Sequence, residues 1–184
     1  MRPTACVRTE VDILPAYRDT PVGDLLRYHN LGAPHRAYAA ARLLVGMCMD
    51  HRNMLRIPDN FAYVLRTGGA NLQRVEFKVS YVIAVGGIRA VCLIGHDQCG
   101  MVGLRARRDT FVAGLVEHAG WDAREAAEHF DQWASAFEIG DAAEFVRTEA
   151  ARLRARYRGL LVAPLLYDIA GGKLQQVLEP AASV

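Results

Sequence analysis

The sequence predicts an α/β fold, in which a mostly parallel central sheet is flanked by helices and ends in a C-terminal edge strand pair. Short apolar runs at residues 42–48, 61–65 and 90–94 end abruptly in polar residues, as strands buried on both faces do. Between them, residues 73–85 carry apolar side chains at helical spacing. Strands and helices that alternate in this way pair in parallel through right-handed crossovers, so functional side chains are expected at the carboxyl ends of the strands.

Helical patterns lie on both sides of this strand region. Residues 21–30 predict a short helix, because Thr20 suits the N-cap and Pro21 suits the first helical position. Residues 113–157 have the Ala, Arg and Glu content of exposed helices, with an interruption at 139–141.

The C-terminal part of the chain predicts the strand pair. Residues 160–169 are a late strand, and Pro164 places that part near an edge or a bulge, because proline cannot donate to a central ladder. The glycine pair 171–172 then predicts a turn into residues 173–178, the expected hairpin partner.

Composition limits the classes of protein to which the chain can belong. Its 184 residues, 52% hydrophobic and 23% charged, fit one soluble globular domain. The net charge is only +2, and the basic run at 105–108 lacks the interleaved aromatic residues of a nucleic-acid-binding surface. We therefore expect that run to be a solvated helix face and expect no nucleic-acid partner.

No apolar stretch approaches the roughly 18 residues of a membrane span, and the N-terminus has no apolar run of signal-peptide length. We therefore expect no membrane association and a cytoplasmic location.

Two of the predicted strands end in residues that bind metals. Cys48 closes one strand, and His96 and Cys99 follow another after Gly95. Thiolate and imidazole are the ligands that zinc prefers, and three protein ligands leave a fourth position for water or substrate. A His-x-x-Cys pair alone is a weak motif, since both residue types often occupy ordinary core or surface positions. Together with Cys48, however, it predicts a catalytic site with one zinc ion per chain.

An acidic and a basic residue lie just past the same strand end. Asp50 and Arg52 are placed so that the arginine can hold the carboxylate by charge-assisted hydrogen bonds. An oriented carboxylate beside a zinc-bound water accepts its proton or its hydrogen bond. The alternative is a surface ion pair, which would contribute little to stability. The neighbouring thiolate ligand favours the catalytic interpretation.

Residues 48–52 and 96–100 resemble the signature of the β-class carbonic anhydrases, which is Cys-x-Asp-x-Arg followed by His-x-x-Cys-Gly. The likeness runs in the same order over residues 43–103. Residues 167–174 are similar to the C-terminal strand pair of the family's short, archaeal and mycobacterial-like branch.

The resemblance implies a function, a cofactor and an assembly. The function is the zinc-dependent reversible hydration of carbon dioxide to bicarbonate and a proton, with Cys48, His96 and Cys99 as zinc ligands and Asp50 and Arg52 as the catalytic dyad. In some members the aspartate closes onto the zinc as a fourth ligand. The family works as dimers or larger assemblies, so a homodimer or higher homo-oligomer is expected. Two thiolate ligands donate more negative charge than imidazoles do, which predicts better activity at alkaline pH.

One turn departs from the family's pattern. Where the family commonly has Arg-Asn-Ala-Gly, residues 66–72 contain Thr67, Gly68 and Asn71. In relatives this turn lines the substrate cleft, so Gly68, Gly69 and Asn71 are expected there, and an amide would change the polarity of the cleft. The alternative is that the glycines only supply unusual backbone angles for a strand-to-helix turn.

Other functions stay open at this point. Relatives with the same ligands hydrolyse carbonyl sulfide or carbon disulfide, and a closed cleft would leave a non-catalytic zinc-binding protein. A nucleotide-binding domain is suggested by the glycine pairs 68–69 and 86–87, but neither forms the spaced Gly-x-Gly-x-x-Gly fingerprint.

The whole chain, residues 1–184, is expected to form one domain. Its four expected parts are an N-terminal helical arm (1–41), a metal-site core (42–112), a helical region (113–159) and C-terminal strands (160–178).

Overall fold

The computed structural model describes residues 4 to 178 and is organised by a six-stranded sheet with the strand order β1-β6-β5-β4-β2-β3. Strands β3, β2, β4 and β5 pair in parallel, and β6 is antiparallel to both β5 and β1, which confirms the mostly parallel sheet and the C-terminal strand pair. The strands are β1 (Thr4–Cys6), β2 (Leu43–Cys48), β3 (Ala62–Thr67), β4 (Ala90–His96), β5 (Leu161–Asp168) and β6 (Lys173–Val177).

The first helix begins where the sequence predicts. Helix α1 (Pro21–Leu26) continues as one π-helical turn over Arg27–Leu31 and ends at Gly32, whose φ of 71° is left-handed. The Thr20 hydroxyl accepts a hydrogen bond from the Val22 amide at 3.2 Å, which confirms the predicted N-cap.

The other helices cover the sheet and the strand ends. The predicted helical region 113–157 is interrupted at 139–141 as expected, and it also breaks earlier. Gly120, with φ of 69°, ends one helix, and Asp122 caps the next by accepting from two backbone amides. The helices are α2 (Glu76–Ala84), α3 (Arg108–Ala119), α4 (Ala123–Phe137) and α5 (Ala142–Arg156). None of the helices within residues 4–178 combines the length and the apolar character that a membrane span requires.

Strand β3 exists as predicted, but the prediction that it is buried on both faces is wrong. It is an edge strand of the sheet and pairs only with β2 among the described residues. Tyr63 and Val64 are each 43% exposed. A short apolar run indicates a strand without showing which strands flank it, so the edge position could not be inferred.

Strand β5 is not at an edge, which corrects the expectation for Pro164. It lies between β4 and β6, and Pro164 is in register with Leu93 of β4. The antiparallel ladder to β6 begins one residue later, where Leu165 pairs with Gln176. The proline therefore sits just outside that ladder, where a missing backbone donor is tolerated.

Two buried amide side chains attach the N-terminal segment to β6. The Gln176 side chain accepts from the Leu14 amide at 2.8 Å and donates to the Asp12 carbonyl at 2.9 Å. Asn30 donates to the Leu174 carbonyl at 2.7 Å and accepts from the Leu174 amide at 3.0 Å. Because both amides are buried, loss of either would leave backbone groups unpaired, at a cost of about 1–3 kcal/mol each.

The core lies on both faces of the sheet. In β4, Val91 and Leu93 pack on the face that α2 and α5 cover, and Cys92 and Ile94 pack on the face that α1 covers. Cys92 is fully buried, as expected for a small apolar side chain, and this burial raises the pKa of its thiol. Burial on both faces fixes the central strands, and their carboxyl ends carry the side chains described below.

We predict that Gly23→Ala destabilises the protein by about 1–3 kcal/mol, because the added methyl group overlaps backbone atoms. A Cβ at Gly23 would lie 2.7 Å from the Arg18 carbonyl oxygen and closer still to that of Tyr17. The matched control is Gly114→Ala in α3, whose Cβ would meet only His118, at 3.9 Å. The control should be neutral or stabilising by up to about 1 kcal/mol. Urea denaturation measures both, and equal effects would contradict the prediction.

We predict a second, pH-dependent loss of stability that originates at His29. Burial, together with the charge of Lys173, lowers the pKa of His29 to about 4, and its Nδ1 accepts from the Arg56 amide at 3.1 Å. The folded state therefore keeps His29 neutral, while the unfolded chain takes up a proton as the pH falls below about 6.5. The free energy of unfolding should fall by up to about 3 kcal/mol between pH 6.5 and 4 from this residue alone. Urea denaturation of His29→Gln should show a shallower decline, and parallel curves would refute the assignment.

Candidate metal centre

Three metal-ligating side chains meet at the carboxyl edge of the sheet. Cys48 ends β2 and His96 ends β4, and because these strands are adjacent and parallel, they finish side by side. The loop after β4 brings Cys99 to the same point, so that the ligand atoms of all three residues lie within 4.8 Å of one another. The Sγ atoms of Cys48 and Cys99 are 3.9 Å apart. A tetrahedral zinc with Zn–S bonds of about 2.3 Å places two sulfur ligands about 3.8 Å apart, so the pair fits zinc.

The imidazole of His96 is oriented as a ligand. Its Nδ1 lies 2.7 Å from the Asp97 carbonyl oxygen, so that this nitrogen carries the proton and donates. Its Nε2 is buried and has no hydrogen-bond partner among residues 4–178. A buried nitrogen lone pair without a partner is unfavourable, and a metal ion would satisfy it.

The thiols of Cys48 and Cys99 affect each other's ionisation. A hydrogen bond from the Cys99 thiol, with further contributions from His96 and from the backbone amides of Asp50 and Gly69, lowers the pKa of Cys48 to about 4 against the cost of burial. The same hydrogen bond raises the pKa of Cys99. One thiolate therefore forms readily near neutral pH, and the thiolate is the form that binds a metal.

Asp50 and Arg52 form the ion pair that the sequence predicts. Arg52 Nε donates to Asp50 Oδ1 at 3.0 Å, Nη2 donates to Oδ2 at 2.7 Å, and the Arg52 amide donates to Oδ1 at 2.9 Å. These hydrogen bonds hold the pKa of the Asp50 carboxyl well below its usual range. Asp50 Oδ2 lies 4.0 Å from His96 Nε2. An ionised, oriented carboxylate thus stands beside the three ligand atoms.

Two further side chains support this pair and were not assigned a role from the sequence. Arg52 Nη1 also donates to Gln98 Oε1 at 3.2 Å. Arg66, at the end of β3, donates to the carbonyl oxygens of Cys48 at 3.0 Å and Asn53 at 2.7 Å, and so holds the loop that carries Asp50. Only the position of Arg66 in the sequence could have indicated this role, since Arg66 lies at the carboxyl end of a strand next to β2.

Gly68 and Gly69 occupy positions beside the metal centre where a side chain would be crowded or strained. A Cβ at Gly68 would lie 2.9 Å from Met101 Sδ. Gly69 has a φ of 63°, and a Cβ there would lie 3.1 Å from Ile139 Cδ1. The turn therefore packs closely against the segments that follow Cys99 and α4.

The Asn71 side chain is directed away from the ligand atoms and into the protein. Its Nδ2 donates to the Ala136 carbonyl at 3.1 Å, and its Oδ1 accepts from the Gln73 amide at 3.0 Å. Asn71 is 5% exposed and lines a separate cavity of about 420 Å³. Its amide thus fastens the turn to the end of α4.

Two cavities adjoin the metal centre. The smaller, of about 320 Å³, includes His96 and Cys99 in its lining. The larger, of about 740 Å³, is almost entirely apolar and includes Gly68. We name it the apolar cavity, and it is lined by Met49, Gly68, Gly100, Met101, Leu104, Arg107, Thr110, Phe111, His129, Phe130, Trp133, Ala134 and Phe137. An apolar cavity and a polar, ionised site therefore lie close together.

No protein-family model matches the chain, and no curated protein matches it. Solved structures do match. A carbonic anhydrase from Glaciozyma antarctica superposes with a TM-score of 0.62 at 22% identity, covering 89% of this chain and 98% of that chain. A β-carbonic anhydrase isoform from Trichomonas vaginalis superposes with a TM-score of 0.61 at 16% identity, over 82% of this chain and 91% of that chain.

A third structure of the same fold carries a different activity in its name. The apo form of a carbon disulfide hydrolase superposes with a TM-score of 0.56 at 15% identity, over 89% of this chain and 94% of that chain. These likenesses show that this chain has the fold of the β-carbonic anhydrases. The fold is thus common to proteins named for two different substrates, and the substrate has to be argued from the site.

We predict that Cys48→Ser and Cys99→Ser each abolish stoichiometric zinc binding, because each removes one of three ligands. Cys6→Ser is the matched control, since that cysteine is exposed and lies outside the centre. Metal analysis of the purified proteins by mass spectrometry should find about one zinc per chain in the control and far less in the two variants. Retention of zinc by both variants would show that the metal binds elsewhere.

Proposed function

We propose that this protein is a zinc lyase that reversibly hydrates carbon dioxide to bicarbonate and a proton. The observation that carries the proposal is the convergence of Cys48, His96 and Cys99 beside an ionised Asp50 that Arg52 holds. The fold, which named β-carbonic anhydrases share, supports the same function. The likeness of residues 48–52 and 96–100 to the family's signature also supports this function. The proposed assignment to the short archaeal and mycobacterial-like branch rests on the sequence likeness as well.

In this proposal Cys48, His96 and Cys99 hold one zinc ion. Zinc, when bound, supplies Lewis acidity that makes hydroxide available from water near neutral pH. Asp50 accepts a hydrogen bond from the attacking water and so orients it toward the carbon atom of the substrate. Arg52 keeps Asp50 ionised and fixed in position.

The remaining roles concern the substrate and the proton. Gly68 and Gly69 form part of the cleft wall beside the apolar cavity, and Asn71 keeps that wall in place from behind. His51 is 94% exposed, and its Nδ1 lies 4.0 Å from Asp50 Oδ1, so it is placed to pass the released proton to buffer.

We propose that the protein works as a homodimer or larger homo-oligomer in the cytoplasm. Large apolar side chains are exposed on the edge strand β3, on helix α2 and at the residue after α2, and this exposure supports an interface between copies. These side chains, all at least 43% exposed, are Tyr63, Val64, Phe77, Tyr81 and Val85. A reducing compartment suits a site built from two free thiols.

One alternative has a specific observation in its favour. The carbon disulfide hydrolase shares this fold, and the apolar cavity would admit carbon disulfide or carbonyl sulfide as readily as carbon dioxide. A non-catalytic zinc-binding protein is the other alternative, in which zinc binds but no substrate turns over. The three functions differ in the activity of fully zinc-loaded protein.

We predict that zinc-loaded protein hydrates carbon dioxide in stopped-flow assays, faster at about pH 8.5 than at about pH 7, because two thiolate ligands would make zinc a weaker Lewis acid and water would ionise there at higher pH. Asp50→Asn should lower the rate at least about 100-fold, because the variant loses the carboxylate acceptor. Asp59→Asn, an exposed aspartate outside the site, is the matched control and should keep full activity.

The sulfur substrates are assayed on the same zinc-loaded sample. Hydrolysis of carbon disulfide or carbonyl sulfide without carbon dioxide hydration would replace the proposed substrate. Zinc at one per chain with none of these activities would favour the non-catalytic protein.

A further inference from the structure

The apolar cavity is much larger than the proposed substrate. Its volume of about 740 Å³ falls within the roughly 300–1,000 Å³ range of pockets that bind organic ligands, whereas carbon dioxide has only three heavy atoms. Its lining includes four aromatic side chains, Phe111, Phe130, Trp133 and Phe137. A cavity of this size and composition fits an extended apolar group.

The cavity has a positive charge at one boundary. Arg107 lines both the apolar cavity and the smaller cavity beside His96. Its two basic neighbours are neutralised, since Arg105 pairs with Glu138 at 2.9 Å and Arg108 pairs with Asp131 at 2.7 Å. Within residues 4–178, no carboxylate lies within ion-pair distance of Arg107. This guanidinium is available to an anion from outside the chain.

The acidic side chains on the smaller cavity are already engaged in hydrogen bonds. Asp97 Oδ1 accepts from the Ile169 amide at 2.8 Å, and Asp141 Oδ1 caps α5 by accepting from the Ala143 amide at 3.0 Å. The carboxylates of Asp97 and Asp141 line only the smaller cavity, whereas Arg107 is, among the described residues, the one Arg, Lys, Asp or Glu residue that lines the apolar cavity. On the side of the apolar cavity, charge complementarity therefore favours an anionic group next to an apolar one.

We propose that the apolar cavity binds an amphipathic organic anion, a fatty-acid-like carboxylate, with its carboxylate on Arg107 and its chain among the aromatic side chains. Met49 follows Cys48 directly, and Gly100 and Met101 follow Cys99, so a chain in this cavity lies against the residues next to two of the metal ligands. A bound carboxylate thus blocks the approach to the metal centre and inhibits turnover. The binding site stands independently of the proposed function, and only the inhibition rests on it.

Octanoate is the probe, and Trp133 is the reporter. The chain has two tryptophans, so Trp121→Phe leaves Trp133, in the cavity wall, as the single fluorophore. Octanoate should change its emission saturably, with calorimetry as a second measurement of the dissociation constant. Arg107→Gln should weaken octanoate binding by about tenfold or more, as expected for loss of a charge-assisted hydrogen bond. Arg105→Gln, which removes a paired arginine outside the cavity, should change it less than about twofold.

Octanol and a cavity-filling variant complete the test. Octanol has the same chain without the charge, so it should bind more weakly than octanoate and should not respond to Arg107→Gln. Thr110→Phe, at an exposed position in the lining, should weaken both ligands. Titration of protein stripped of metal by chelator should give the same octanoate affinity, because the carboxylate pairs with Arg107 and not with the metal.

Three results would overturn the proposal. Equal octanoate binding by Arg107→Gln and the parent would show that the anion is not held there, and loss of binding on removal of metal would place the carboxylate on the metal instead. No binding of either ligand would show that the cavity does not accept an apolar chain in solution. A protein that binds octanoate through Arg107 but hydrates no carbon dioxide would support this inference while refuting the proposed function.

Discussion

The parallel pairing of β2 with β4 is the constraint on which the metal centre depends. Each strand is buried on both faces, so neither can slide without disrupting close packing on both sides of the sheet. Their register, with Met47 opposite Ile94, brings Cys48 and the approach to His96 to one edge of the sheet. The rigidity that ligand geometry requires is therefore supplied by the core, and the loops contribute only Cys99 and Asp50.

Arginines compensate the negative charge that gathers at this edge. Two thiols that ionise when they bind metal stand beside an ionised carboxylate, within a partly buried site. Arg52 neutralises Asp50 directly, while Arg66 acts through backbone carbonyls and holds the loop between Cys48 and Asn53. The two arginines are not interchangeable, because one sets the charge of the acceptor and the other sets its position.

The sequence predicted what depends on local pattern and failed where the answer depends on neighbours. The strands, the Thr20 cap, the turn before β6 and the proximity of the three metal ligands all follow from short patterns and from the rule that parallel strands end at one edge. The exposure of β3 and the interior position of β5 could not be predicted, since strand order is set by long-range packing. The side-chain contacts of Gln98 and the inward orientation of the Asn71 amide depend on partners tens of residues away.

Strand β1 also has a consequence for how the chain folds. It pairs with β6, so that Thr4 lies opposite Val177, and a hydrogen bond joins the side chains of Thr4 and Gln175, 171 residues apart in sequence. Contacts of such high sequence separation form slowly, because loop-closure entropy must be overcome before they contribute. During synthesis the parallel strands β2, β3 and β4 can pair with one another before β6 has been made, while β1 is still unpaired. The pairing of β1 with β6 can therefore form only after residue 177 has been synthesised, later than the pairing of β2, β3 and β4.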